Sequence, residues 1–277
     1  RSSPAWPSSA TCCWAPTNVG GMPFLDHPRG RAYYRHWAAE QPRAAVVFLH
    51  GFGEHTGLYH RYGFALNAAG IDLWAVDQFG HGLSPGDRGD FGTIEDSSAL
   101  ADALTELAAD RRPDVPLVAQ GHSFGAVVTL FRVLAQPQTY RAAVVSGAPV
   151  VAVPALRDAN TTFDLDPALL SADPFYVDSL INDPLAFVGA DGIALVRELD
   201  RGWDRFGAEL PGLTVPTLAV HGSNDMIAPV GAVRAYAEQI DALRFVEFAG
   251  ARHDILNEVQ HRDVAAAIVG FIADHVG

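Results

Sequence analysis

The segment Gly121-His122-Ser123-Phe124-Gly125 carries the residue types and spacing of covalent chemistry. It follows the apolar run Leu117–Gln120 and precedes a helical pattern over Ser123–Ala135, so G-x-S-x-G falls between a buried strand and a helix. In that context the turn is tight, the glycines avoid collisions with neighbouring elements, and the Ser123 hydroxyl projects at the C-terminal edge of a sheet. The pattern alone arises by chance in roughly one chain in ten of this length. The strand–turn–helix context is what gives it weight. A serine hydroxyl is a weak nucleophile until a base takes its proton, and that base is a histidine held by a carboxylate. Where this arrangement occurs the chain order is Ser, then Asp or Glu, then His. Asp225, in His221-Gly222-Ser223-Asn224-Asp225, follows the apolar run Thr217–Val220, and His253, in Gly250-Ala251-Arg252-His253-Asp254, follows Leu243–Phe248. Both therefore belong at the sheet edge that carries Ser123, where open α/β sheets bind ligands. The competing readings are a helix cap for Ser123, a loop-capping carboxylate for Asp225 and a surface histidine for His253.

An acyl-transfer reaction also needs donors for a developing oxyanion. The run Ala44–Leu49 ends in His50-Gly51-Phe52-Gly53-Glu54-His55, and the backbone N–H groups of Phe52 and Phe124 are the expected pair. The chain's 11 histidines invite a metal reading. His50, Glu54, His55 and His60 cluster, but their spacing is H-x-x-x-E-H, which matches no zinc-hydrolase motif. No metal and no cofactor are expected, and neither a Walker loop nor a G-x-G-x-x-G opening a helix is present.

The elements that must position these residues alternate along the chain. Phe24–His27 and Arg31–Trp37 read as two β segments around a turn at Pro28-Arg29-Gly30. Buried strands are expected at Ala44–Leu49, Ile71–Val76, Leu117–Gln120, Ala142–Ser146, Thr217–Val220 and Leu243–Phe248. Helices are expected over Tyr59–Ala69, after the N-cap Thr93 as far as Pro113, over Ser123–Ala135, and from about Asp263 to His275. The alternation predicts an α/β fold with a doubly wound, mostly parallel sheet. It is interrupted once, between Val150 and about Gly212, by Asp-Pro steps and short helical pieces. The expected organisation is a core of residues 22–149 and 213–277 with a helical cap, 150–212, inserted between two strands. Within the cap, Phe163, Leu169, Leu170, Phe175, Leu180 and Phe187 either line an acyl tunnel or form the cap's own small core. Arg157, Arg197, Arg201 and Arg205 either hold a substrate carboxylate or pair with neighbouring acids.

Composition narrows the function classes. The chain has 277 residues, a net charge of −13 and no lysine, which disfavours nucleic acid and a polybasic membrane anchor. No apolar run is long enough to span a bilayer. Its two cysteines, Cys12 and Cys13, are adjacent and form no disulfide framework, which fits a cytoplasmic location. Residues 1–21 read as a leader or tag-like segment preceding Met22, or as a poorly ordered native tail.

With these residues in place, the chain resembles the monoacylglycerol lipase and lysophospholipase branch of the α/β-hydrolases over nearly all of residues 22–277. The matching segments are HGFGEHTGLYH (50–60), DQFGHGLS (77–84), GHSFG (121–125), SADPFYVDSLINDPL (171–185), HGSND (221–225) and GARHD (250–254). The resemblance implies the α/β-hydrolase fold and a serine esterase with Ser123, Asp225 and His253 as catalytic residues. It implies Phe52 and Phe124 as oxyanion donors, and Glu54 and His122 as residues lining the alcohol side. There are two departures. Leu58 stands where these lipases usually carry an arginine, and Val150–Leu165 lacks the apolar helix with which they touch membranes. The expected substrate is a monoacylglycerol-type or other small monoester, with weak or no membrane association. The alternatives are soluble aromatic or xenobiotic monoesters, then lysophospholipids, thioesters or aminoacyl substrates on the same fold, and finally a non-catalytic ligand-binding relative.

Overall fold

The computed structural model describes residues 23–153 and 162–277. Residues 1–21 with Cys12 and Cys13, and Arg157 in the insertion, lie outside the described residues. Eight strands form one sheet: β1 (Phe24–His27), β2 (Gly30–Trp37), β3 (Ala44–Leu49), β4 (Ile71–Val76), β5 (Leu117–His122), β6 (Ala142–Ser146), β9 (Thr217–Gly222) and β10 (Leu243–Phe248). Their spatial order is β1-β2-β4-β3-β5-β6-β9-β10. The β1–β2 and β2–β4 pairs are antiparallel and every other pair is parallel.

Strand β3 shows why this sheet needs helices on both faces. All six of its residues are buried, and successive side chains point to opposite faces. Val47 and Leu49 join one core cluster, with Leu100, Leu104, Phe124 and Val127. Val46 and Phe48 join the other, with Leu66, Val264, Ile268 and Phe271. The first face is covered by α2 (Ile94–Arg111) and α3 (Phe124–Ala135), the second by α1 (His60–Ala68) and α8 (His261–Val276). Helix α2 begins at a capping box, in which the Thr93 side chain accepts from the Asp96 N–H and Asp96 accepts from the Thr93 N–H. The edge strand β10 exposes Arg244 and Glu247, charges that discourage pairing with another sheet.

After β3 the chain moves to β4 on one side, and then returns to β5 on the other side of β3. This reversal opens a crevice at the strand C-termini. The segment between β6 and β9 holds β7 (Thr162–Asp164), α4 (Pro167–Leu170), α5 (Pro174–Asn182), β8 (Gly189–Asp191), α6 (Ile193–Glu209) and α7 follows β9 at Val230–Ala237. Two features of this segment differ from the sequence expectation. It contains a two-stranded antiparallel sheet, β7–β8. It also contains a 17-residue helix, α6, rather than only short pieces. Leu195, Leu199, Trp203 and Phe206 recur at helical spacing and join the core beside α3. Helix α6 is thus fixed to the sheet domain by apolar burial. At its buried flank the Glu198 carboxylate accepts the Ile94 N–H at the start of α2.

Candidate active site

Ser123 stands between the end of β5 and the first residue of α3, with φ 50° and ψ −117°. Among the described residues it is the only non-glycine residue with positive φ. Such a conformation costs on the order of 1–3 kcal/mol and persists only where its surroundings enforce it. Here the Ser123 N–H donates to the Ser146 carbonyl at 2.9 Å, and its own carbonyl accepts from the Ala126 N–H at 2.9 Å. The flanking glycines follow from close backbone approach. A Cβ on Gly125 would strike the Leu49 carbonyl, and one on Gly121 would strike the Gly125 carbonyl.

The loops after β9 and β10 bring two further groups to the same edge. His253 Nε2 lies 2.8 Å from Ser123 Oγ, and His253 Nδ1 lies 2.8 Å from Asp225 Oδ2. Asp225 is fixed on its other side: Oδ1 accepts the Ile227 and Ala228 N–H groups, each at 2.8 Å. His221 Nε2 lies 3.0 Å from Asp225 Oδ2 and 2.7 Å from the Ala228 carbonyl. A carbonyl only accepts, so this nitrogen carries a hydrogen and also serves Asp225. Burial opposes charge on Asp225, but the His253 charge and hydrogen bonds from His221 and His253 hold its carboxyl far below the usual carboxylate range. Burial likewise works against a His253 cation. The charge and hydrogen bond of Asp225 outweigh it, helped by Asp254 and Glu54, and raise His253 to about 9.

That value has a kinetic consequence. A histidine in this position takes a serine proton only as the neutral imidazole. For a raised histidine the neutral form grows as pH increases toward the shifted value. The expected result is a kcat/KM that climbs from pH 7 and levels near 9, read from a pH–rate profile on a soluble ester. A plateau already reached at pH 7 contradicts it.

The turn after β3 abuts this constellation: a Cβ on Gly51 would sit 3.2 Å from Ser123 Cβ. Burial lowers His50 to about 4, so its ring is neutral and its two nitrogens divide their work. Nδ1 donates to the Gly51 carbonyl at 2.7 Å and Nε2 accepts the Gln78 N–H at 3.0 Å. Glu54 Oε2 accepts the Gly51 N–H at 2.7 Å and the Tyr59 hydroxyl at 2.6 Å. Phe52 and Phe124, the expected oxyanion pair, both line the pocket beside Ser123.

That pocket encloses about 800 Å³, part of it open to solvent, and also holds His253, Glu54 and Asp254. Leu165, Leu170, Leu180, Phe187, Leu195 and Leu199 supply much of its apolar wall. The expected pocket residues divide accordingly. Glu54, Leu170 and Leu180 line it, whereas Phe175 and His122 do not. Phe175 is 67% exposed, with the Arg61 guanidinium over its ring, because α5 turns Tyr176 and Leu180 inward instead. His122 is buried beneath the elbow, where Nδ1 reaches the Ser146 carbonyl at 3.1 Å and Nε2 reaches Asp254 at 3.0 Å. Leu169 is half-exposed and outside the wall. The Phe163 side chain lies outside what the structure describes.

The clustered histidines of the sequence take different partners. His50 faces Gln78, and His55 Nε2 lies 3.1 Å from Asp183. Among the described residues, potential ligand atoms of His122, His253 and Asp254 lie within 4.8 Å of one another. Hydrogen bonds to protein groups already engage all three. Arg197, Arg201 and Arg205 pair with acids, Arg201 with both Glu95 and Glu198. Sequence reasoning missed His221 behind Asp225, and it missed Tyr176, whose hydroxyl meets both Glu54 and Asp254. His221 stands four residues before Asp225 at a strand end, a faint signal. Tyr176 lies in the matching segment 171–185, but nothing local there points to partners 122 and 78 positions away.

Comparison with known proteins agrees with this architecture. The chain is 28% identical over 263 residues to a monoacylglycerol lipase of Mycolicibacterium smegmatis, covering 89% of this chain and 94% of that protein. The crystal structure of Paleococcus ferrophilus monoacylglycerol lipase superposes with a TM-score of 0.78 at 27% identity, covering 88% of this chain and 99% of that one. A caffeoylshikimate esterase of Arabidopsis thaliana is 22% identical over 260 residues, 84% of this chain and 78% of that protein. The fold is that of the α/β-hydrolases. The family model described as serine aminopeptidase, S33, matches residues 40–260, and the chain belongs to that family.

Proposed function

We propose that the protein is a serine carboxylic-ester hydrolase that works through an acyl-enzyme on monoacylglycerol-type or other small monoesters. The observation that carries this reading is the continuous run Asp225–His253–Ser123, at 2.8 Å for each link, opening into a mainly apolar pocket. In this reading Ser123 attacks the ester carbonyl while His253 takes its proton, and Asp225 orients His253 and stabilises the imidazolium. The N–H groups of Phe52 and Phe124 hold the oxyanion. His253 then returns the proton to the leaving alcohol, and water attacks the acyl-enzyme by the same route. Residues 150–212 act as the cap, and Leu165, Leu195 and Leu199 bind the acyl chain.

The family description raises an aminopeptidase as the competing activity. It would need a free carboxylate for the substrate ammonium. The carboxyl groups in the pocket wall are Glu54 and Asp254, and each of their oxygens already has a protein partner. Ester hydrolysis is therefore the reading favoured. The test is fluorophosphonate labelling of Ser123, combined with a panel of monoacylglycerols, lysophospholipids, small aromatic esters and aminoacyl amides. Faster turnover of an aminoacyl amide than of any ester overturns the substrate class, and failure to label overturns the mechanism.

The acyl assignment has its own check. Leu199 is 3% exposed and lines the pocket wall. Leu199→Trp should lower kcat/KM for a long-chain monoacylglycerol by about tenfold, the scale of one lost pocket contact, and spare a short ester. Equal losses on both substrates would place the acyl chain elsewhere.

A further inference from the structure

Tyr176 joins two buried carboxyl groups from different parts of the chain. Its hydroxyl oxygen lies 2.7 Å from Glu54 Oε1 and 2.8 Å from Asp254 Oδ2. Glu54 is 5% exposed, Tyr176 2% and Asp254 4%, so water is poorly placed to relieve a mismatch. A phenol has one hydrogen and can donate to only one of the two. An ionised carboxylate has none to offer, and two oxygens at this distance without a hydrogen between them repel.

The other contacts do not remove the conflict. Glu54 Oε2 is occupied by the Gly51 N–H and the Tyr59 hydroxyl. Asp254 Oδ1 faces His122 Nε2 at 3.0 Å, and His122 Nδ1 faces the Ser146 carbonyl and Ser146 Oγ, so a hydrogen on either ring nitrogen is directed away from Tyr176. None of these hydrogens lies between Tyr176 and a carboxyl oxygen. Both phenols keep their own hydrogens: burial, then the charges of Glu54 and Asp254, push Tyr59 and Tyr176 well above their ordinary value.

We propose that Glu54 and Asp254 share one proton through Tyr176. One carboxyl is an acid that donates to the phenol oxygen, and the phenol donates to the other, which is ionised. The two arrangements interconvert when both hydrogens shift along the Glu54–Tyr176–Asp254 line. The pair then carries one negative charge instead of two, which suits its burial.

The shared proton ties together three segments: the oxyanion turn through Glu54, the insertion through Tyr176 on α5, and the loop that carries His253. Tyr176 is thus a positioning residue. For the reaction, which rests on the reading given above, the pair faces His253 with a single charge. Both carboxyls act to raise His253, so the proton limits how basic it becomes.

The test is infrared spectroscopy of the full-length protein in D2O at pH 7, where solvated carboxyls are ionised. The wild type should show a carboxylic-acid carbonyl stretch. Subtracting the spectrum of Glu54→Gln should isolate that band, because the amide of Gln donates to Tyr176 in place of the acid and no shared proton is required. Circular dichroism reports whether the variant is folded. Absence of an acid band in the wild type overturns the proposal whether or not the variant folds. A difference spectrum without the band, taken on folded Glu54→Gln, also overturns it. Neither measurement needs turnover, so a shared proton can be present in a protein that fails as an esterase, and absent in one that succeeds.

Discussion

Ser123→Ala should lower kcat for a short p-nitrophenyl ester by on the order of 10⁶, because in the proposed mechanism it removes the nucleophile and leaves only binding and oxyanion stabilisation. The fold should survive. The Ser123 hydroxyl makes one side-chain bond, to His253 Nε2, and the backbone bonds that hold the elbow do not involve Oγ. The strained φ persists in the variant, so the thermal midpoint should stay close to wild type. Fluorophosphonate labelling should disappear in the same preparation. Turnover near the wild-type rate would remove the mechanism, and an unchanged label would place the nucleophile elsewhere.

The second large effect is expected from Asp225→Asn, with kcat reduced by about 10⁴. Its cause is legible in the hydrogen bonds. Two backbone N–H groups, of Ile227 and Ala228, point at Oδ1, so the amide must keep its oxygen there. The amide nitrogen then faces His253 Nδ1 and donates to it. That forces the tautomer with hydrogen on Nε2, which cannot accept the Ser123 proton. The variant also loses the charge that raises His253. The rise of activity with pH should therefore move toward lower pH, a signature that misfolding would not produce. An Asp225→Asn enzyme within tenfold of wild type, with an unmoved profile, would show that His253 is not held by this carboxylate.

Much of the site could be read from the chain because its residues lie within a few positions of strand ends. Strand β3 is six consecutive apolar residues, and its boundaries match the expected ones. Ser123, Asp225 and His253 each follow such a run, and a parallel sheet sends all its C-termini to one edge. The less accurate readings have specific causes. Strands β5 and β9 extend two residues beyond the expected ends, through Gly-His and His-Gly steps that read as turn. Helix α7 has only Val233 buried and offered little periodic signal. In α6 the apolar spacing was present, but the surrounding Asp-Pro steps suggested only fragments.

Phe175 and Tyr176 mark the boundary most sharply. They are adjacent aromatic residues after the same Asp-Pro cap, and composition offers no choice between them. Which one turns inward depends on the phase of α5 against the core, fixed by Leu58, Leu170 and Leu180 packing with Tyr176. The sequence by itself determined the sheet, the elbow and the convergence of Ser123, Asp225 and His253 at one sheet edge, because these follow from local apolar runs, from glycines where backbones meet, and from the geometry of parallel strands. Only the tertiary structure decided that His122 sits beneath the pocket, that His221 supports Asp225, and that Glu54, Tyr176 and Asp254 converge. Those contacts join segments far apart in the chain, and a buried polar group takes whichever partner packing brings within hydrogen-bond distance.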